Sequence, residues 1–231
     1  MKINVAITSI IFYTINIFAQ TNYIAVKTAM EANLPNVALK TLERMSEDSK
    51  DYIYWYYKGN AHNSLSHYEE AIVALNKSIE LNSTDSAVFM AMAFAHMKLG
   101  EIDKASTFIN KAVAINPTNP ACYMQQAEIY IHKKDYISAE NVLHTAYRLA
   151  ALDIIVQKLA QVYMLQKKYQ EAKILLMKRL PLHEVYYLMA KMYEQNADLE
   201  GALKHYRLSL SAKTHFEPSA KAIKRILNDS V

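Results

Sequence analysis

The eight histidines and the single cysteine are the residues of this chain best suited to ligate a metal or attack an electrophile. Zinc chemistry on a helix needs two histidines one turn apart with a carboxylate beside them, or Cys/His pairs at short spacing. Neither pattern occurs. Glu184 follows His183, yet Tyr187 stands where the second histidine would be. His62 and His96 are 34 residues apart, at equivalent places of neighbouring repeat units. Packing or a surface hydrogen bond suits them better than ligation. Cys122 would need an activating base to become a nucleophile, and none is identifiable; a small apolar side chain in a helix contact accounts for it. Glu43, Glu69 and Glu70 read as exposed helix faces. No glycine-rich phosphate loop, nucleophile elbow or paired carboxylates in a cleft can be found. The chain is therefore expected to be no enzyme and to hold no metal or cofactor.

The elements that carry these residues repeat. Ala71, Ala105, Ala139, Ala172 and Ala202 recur at intervals of 34, 34, 33 and 30 residues. Twelve positions before each stands another small residue: Gly59, Ala93, Ala127, Ala160 and Ala190. A period near 34 with paired small residues predicts stacked helical hairpins, each burying its face only against its neighbours. The chain has three glycines and five prolines, and apolar residues follow helical spacing throughout. Phe89, Met92, Ala93, His96 and Leu99 trace one face of a helix that Gly100 stops. Ala105, Ile109, Ala112 and Ile115 repeat the pattern until Asn116-Pro117 ends it, because the residue before proline is pushed out of helical geometry. Asn119-Pro120 then reads as a cap and first helical residue.

These positions resemble the tetratricopeptide repeat family, whose pattern pairs a bulky residue, a small one and an aromatic with a later alanine, bulky residue and proline. In residues 86–119, Phe89, Met92-Ala93, His96, Ala105, Ile109, Ala112 and Pro117 fill it. Residues 52–85 carry Trp55, Gly59, His62, Tyr68, Ala71, Leu75 and Ser78, and residues 120–152 carry Tyr123, Ala127, Tyr130, Ala139, Leu143 and Ala146. Val156, Ala160, Tyr163, Ala172 and Leu176 follow in residues 153–182, then Tyr186, Ala190, Tyr193, Ala202, Tyr206 and Ser209 in residues 183–215. Residues 20–51 form a degenerate hairpin or an N-terminal cap: Val26 and Ala38 keep the twelve-residue spacing, but Pro35 replaces an aromatic. Pro218 starts a final helix over residues 216–231, with Ala222, Ile223, Ile226 and Leu227 as its apolar stripe. The resemblance implies an all-α, right-handed superhelix of five to six hairpins closed by that solvating helix. Arg179 occupies a small-residue position just before Pro181, so the second helix there is expected to be short, with a changed superhelical angle or a loose joint.

The resemblance also implies that the first helix of each hairpin lines a concave groove. The expected partner-binding residues are Ile53, Tyr56, Tyr57, Asn60, Met90, Phe94, Met97, Met124, Glu128 and Ile131. Asn63, Ala91, Lys158, Tyr187, Lys191 and Glu194 also project there. Relatives that grip a C-terminal carboxylate use Lys, Asn, Asn, Lys and Arg; only Asn60 fits, while Tyr56, Ala91, Ala121 and Gln125 stand at the other places. What remains is a Met and aromatic half followed by a polar half. Adaptable Met beside Tyr and Phe suits an apolar helix or extended peptide.

Lys2 precedes an apolar stretch from Ile3 to Ala19, and Ala19 lies just ahead of polar Gln20. This predicts a secretory signal peptide over residues 1–19. An uncleaved membrane anchor is the alternative, although Asn4, Thr8, Ser9, Thr14 and Asn16 interrupt a run barely as long as the roughly 20 residues a span needs. Cleavage would leave an exported chain of about 210 residues with no stable membrane span. One cysteine allows no intramolecular disulfide, so stability rests on apolar burial. The net charge of +4 comes from scattered residues, which excludes an electrostatic case for nucleic acid. The expected function is a non-enzymatic scaffold of the bacterial periplasm or envelope that presents its groove to a protein or peptide. The alternative is a self-assembling structural subunit or assembly factor, with the chain forming a homo-oligomer.

Overall fold

Two helices can cross at the usual 8–10 Å or so only where the side chains between them are small. In the computed structural model, which describes residues 22–45, 50–81 and 84–228, the crossings from α3 to α12 meet that condition. Ala71, Ala93, Ala105, Ala127, Ala139, Ala160, Ala172, Ala190 and Ala202 are fully buried. Gly59 leaves no room even for a methyl group, since a Cβ there would lie 2.5 Å from Leu75 Cγ. The signal segment over residues 1–19 lies outside the described residues.

Among the described residues the chain forms thirteen helices and no strand. They are α1 (22–31), α2 (Pro35–Glu43), α3 (Tyr52–Ser64), α4 (Tyr68–Leu81), α5 (Ser86–Lys98), α6 (Ile102–Ile115) and α7 (Pro120–His132). The rest are α8 (Tyr136–Leu149), α9 (Asp153–Leu165), α10 (Tyr169–Met177), α11 (Leu182–Gln195), α12 (Leu199–Ala212) and α13 (Glu217–Asn228). The fold is all-α, of the helical-hairpin solenoid class. The sequence suggests one uninterrupted array, whereas the structure divides into two compact units between Thr118 and Asn119.

In the first unit, a turn at Asn33 separates α1 from α2, with Pro35 at the start of α2. Val26, Ala29, Ala38, Leu42 and Met45 make a core with Tyr54 and Ala61 of α3. A second cluster joins Leu75 to Val88, Ala91 and Met92. In the second unit one cluster joins α7, α8 and α9 through Ala127, Leu143, Ile155 and Leu159, and another joins α9, α10 and α11. The helix α10 is indeed short, nine residues against fourteen for α8 and α12, and the Arg179 guanidinium reaches Asp153 at 3.7 Å. Leu176, Val185 and Met189 share one core across that joint. At the end of the second unit, Ala222, Ile223 and Ile226 of α13 pack on Ala190, Ala202 and Tyr206. Leu227, expected in that stripe, is exposed, and Ser219 is buried instead, donating a 2.8 Å hydrogen bond to Ser209 Oγ.

The turns within the hairpins are uniform although their residues are not. Gly100 has φ +77°, and Asn33, Ser66, Lys134, Lys167 and Ala197 adopt φ of 56–62° at the corresponding places. Each is closed by a backbone bond spanning five residues, such as Glu101 N to His96 O and Asp198 N to Tyr193 O. This is the left-handed helix stop that glycine adopts without strain and a Cβ-bearing residue does not. Ala197→Gly is therefore expected to raise stability by about 1 kcal/mol. Gly59→Ala should lower it by about 1–3 kcal/mol through overpacking against Leu75. Thermal and urea unfolding of the two variants check both signs.

Candidate binding surfaces

In the first unit the aromatic first helices meet face to face. Tyr57 of α3 stacks on Tyr23 of α1 with ring centroids 6.3 Å apart, and Tyr56 packs beside it at 5.3 Å. Tyr56 also joins the cluster of Leu75, Val88, Ala91 and Met92. Burial pushes its phenol above the ordinary value, partly opposed by a hydrogen bond with Asn60. Between α1, α3 and α5 lies a cavity of about 200 Å³ lined by Met30, Asn60, Asn63, Ser64, Ala91 and Phe94. Phe94 is half-buried, with the Tyr68 ring at 6.3 Å and the Lys98 ammonium 5.3 Å from its centroid.

Asn63 is only 7% exposed. Its amide donates to the Ala91 carbonyl at 3.1 Å, tying α3 to α5. Its Oδ1 is buried without a hydrogen-bond partner among the described residues, an uncommon state for a buried acceptor. Asn63 is thus a structural tie at the cavity wall. Met97, placed in the groove by its position, is 5% exposed and enclosed by its neighbours. Ile53, Tyr56, Tyr57 and Met90 are half-buried. Met30 is the cavity residue that sequence reasoning missed. It stands four residues after Val26, as Asn63 does after Gly59, so extending the position rule into the degenerate hairpin would have found it.

The polar half falls in the second unit. Glu128 of α7 accepts from Lys158 of α9 at 2.5 Å, while Met124 and Ile131 pack against the core cluster of that unit. Glu140 accepts 2.8 Å bonds from both Lys168 and Gln166, and Gln166 also donates to the Tyr136 carbonyl. Partial burial pushes the Glu140 carboxyl up, but Lys168 and Gln166 outweigh it and hold it below the ordinary carboxylate value. The thiol of Cys122, fully buried, is pushed up by desolvation. His96 stacks on Phe108 at 5.2 Å and bonds Glu101 at 2.5 Å, while His62 lies beside His67. Among the described residues no group of three His, Cys, Asp or Glu side chains could hold a metal ion. No described helix is long and apolar enough to cross a membrane.

Models of the tetratricopeptide repeat match residues 64–129 and residues 183–215. The chain carries tetratricopeptide repeats. Its fold is similar to that of PilW, a type IV pilus biogenesis factor, at 13% identity and a TM-score of 0.70, covering 89% of this chain and 98% of that one. The APC/C hetero-tetramer Cut9-Hcn1 is similar at 18% identity and a TM-score of 0.68; the match covers 90% of this chain but spans only 42% of that chain's length. YrrB, a TPR protein with an unusual peptide-binding site, matches at 16% identity and a TM-score of 0.54, covering 80% and 97%. No curated protein sequence matches the chain. These likenesses extend to the fold of the repeats.

Because the folded-state pKa of Glu140 is depressed, its contribution is present above the ordinary carboxylate value and lost as pH falls through the folded one. Glu140→Gln should cost on the order of 1 kcal/mol at neutral pH and lose less stability on acidification than the wild type. Urea unfolding across the acid range, compared between the two proteins, measures that convergence.

Proposed function

We propose that this chain is a non-enzymatic interaction scaffold whose first unit holds an apolar peptide or helix of a partner protein. The observation that carries the reading is the cavity between α1, α3 and α5, where Phe94 and Met30 offer apolar surface beside the polar walls of Asn60, Asn63 and Ser64. Rigid helices pre-form such a surface, so little conformational entropy is lost there on binding. Met and aromatic side chains adapt to apolar ligands, and the backbone of an extended segment would meet the amides. The similarity to YrrB, which has a peptide-binding site, supports a peptide ligand. The similarity to PilW, a pilus biogenesis factor, supports a role in the bacterial envelope, in keeping with the signal-like segment over residues 1–19.

Selection of a displayed peptide library on the full chain tests the groove. Apolar peptides should be enriched, and Phe94→Glu should weaken them by at least about tenfold while leaving the unfolding midpoint nearly unchanged. Retained affinity in that variant would remove the groove from the reading. Mass analysis of the mature chain from an envelope fraction should show an N-terminus at Gln20. Intact chain confined to the cytoplasm would defeat the envelope assignment and leave the groove untouched.

A further inference from the structure

Residue 67 departs from a pairing that the next repeat keeps. Across the turn from α5 into α6, His96 Nδ1 and Glu101 Oε2 lie 2.5 Å apart, and Lys104 and His96 hold the Glu101 carboxyl below the ordinary value. One repeat earlier, 34 positions back, stand His62 and His67. The two turns have the same backbone: the amides of His67 and Glu101 donate to the His62 and His96 carbonyls at 2.9 Å each. A second imidazole therefore occupies the place of the carboxylate. The His62 and His67 rings are 6.0 Å apart, and His62 Nδ1 is buried without a hydrogen-bond partner among the described residues.

Protonation changes what that nitrogen must do. A neutral ring can carry its one proton on Nε2 and leave a lone pair at Nδ1, whereas the charged ring places a donor there. A buried charged donor without an acceptor is costly. The charged and titratable groups acting on His62 are Lys58, one turn before it on α3, His67 in the turn, and Glu70 in the first turn of α4. Burial pushes His62 below the ordinary histidine value; Glu70 opposes this, and Lys58 and His67 add to it. The folded chain thus binds fewer protons here than the unfolded one. The contribution to stability is present above the ordinary histidine value and is lost as pH falls through it towards the folded value.

We propose that the His62–His67 pair is an acid-sensitive latch of the first unit: when His62 takes up a proton, the contact between α3 and the start of α4 loosens, because no carboxylate stands at residue 67 to accept from it. His96, backed by Glu101, keeps the equivalent contact between α5 and α6. The latch also acts on the candidate binding surface. Asn60 and Asn63, on either side of His62 in α3, line the cavity of about 200 Å³, so loosening α3 loosens that wall. This consequence rests on the reading of the cavity as a binding site; the latch itself does not.

Trp55, the single tryptophan, lies on α3 and reports on the first unit. Urea unfolding of the full chain followed by its fluorescence at about pH 8 and about pH 5.5, either side of the ordinary histidine value and above the carboxylate range, tests the latch. The wild-type midpoint should fall at the lower pH. His67→Glu, which restores the arrangement of His96 and Glu101, should reduce or reverse that fall. His62→Tyr, which installs the residue found at the equivalent positions Tyr130, Tyr163 and Tyr193, should reduce it. What remains is the share of His205, whose ring burial also holds below the ordinary value. His215→Gln, at an exposed histidine beyond α12, should leave the fall unchanged. In the wild type, NMR should show the His62 imidazole titrating below the ordinary histidine value, a readout that needs no variant. A wild-type midpoint independent of pH, a His62 titration at or above the ordinary value, a fall undiminished in either His62→Tyr or His67→Glu, or an equal reduction by His215→Gln would overturn the proposal.

Discussion

Close approach of paired helices is the constraint on which everything else in this protein depends. A hairpin of two short helices has too little apolar surface to stand alone, so it must pack tightly within itself and against its neighbours. The buried alanines at each crossing, and Gly59 against Leu75, let backbones approach while larger side chains interlock around them. Ser78 and Ser209 are small enough for the same positions and add a hydrogen bond each, to the Tyr52 and His183 carbonyls at 2.8 and 2.7 Å. These bonds reach carbonyls in the first turn of the facing helix and fix the register of the hairpin.

The same constraint shapes the candidate binding surfaces. Because α3 and α5 are held together, by Asn63 among others, the side chains on their inner faces cannot all remain available. Met97 is drawn into the core, whereas Phe94, one turn away, stays at the cavity wall. In the second unit the polar positions of successive first helices pair instead of opening, as Glu128 does with Lys158. The terminal helix α13 covers the last apolar face, yet its own basic residues and the Tyr206–Glu194–Arg225 chain leave an open polar cavity beside it.

Much of this was legible along the chain. The double spacing of small residues marks the crossings, Asn116-Pro117 marks the end of α6, and Asn119 caps α7 by accepting from the Ala121 amide. The turns were legible only at Gly100. At Ser66, Lys134, Lys167 and Ala197 the same left-handed stop is imposed by hairpin packing and backbone hydrogen bonds, against the local preference of the residue. The short α10 could be anticipated from Arg179 and Pro181, but not the continuous core that Leu176, Val185 and Met189 build across it.

Periodicity and residue size specify the helices, their pairing and the faces they present, because both follow from local geometry and from the distance at which two backbones can cross. Which inner-face residues stay accessible depends on the depth to which neighbouring helices enclose them. Met30 reaches the cavity from a hairpin whose pattern is eroded, Met97 is withdrawn from it, and Arg225 is turned onto Glu194 from 31 residues away. No spacing rule carries that information, since enclosure and charge pairing are properties of several helices at once.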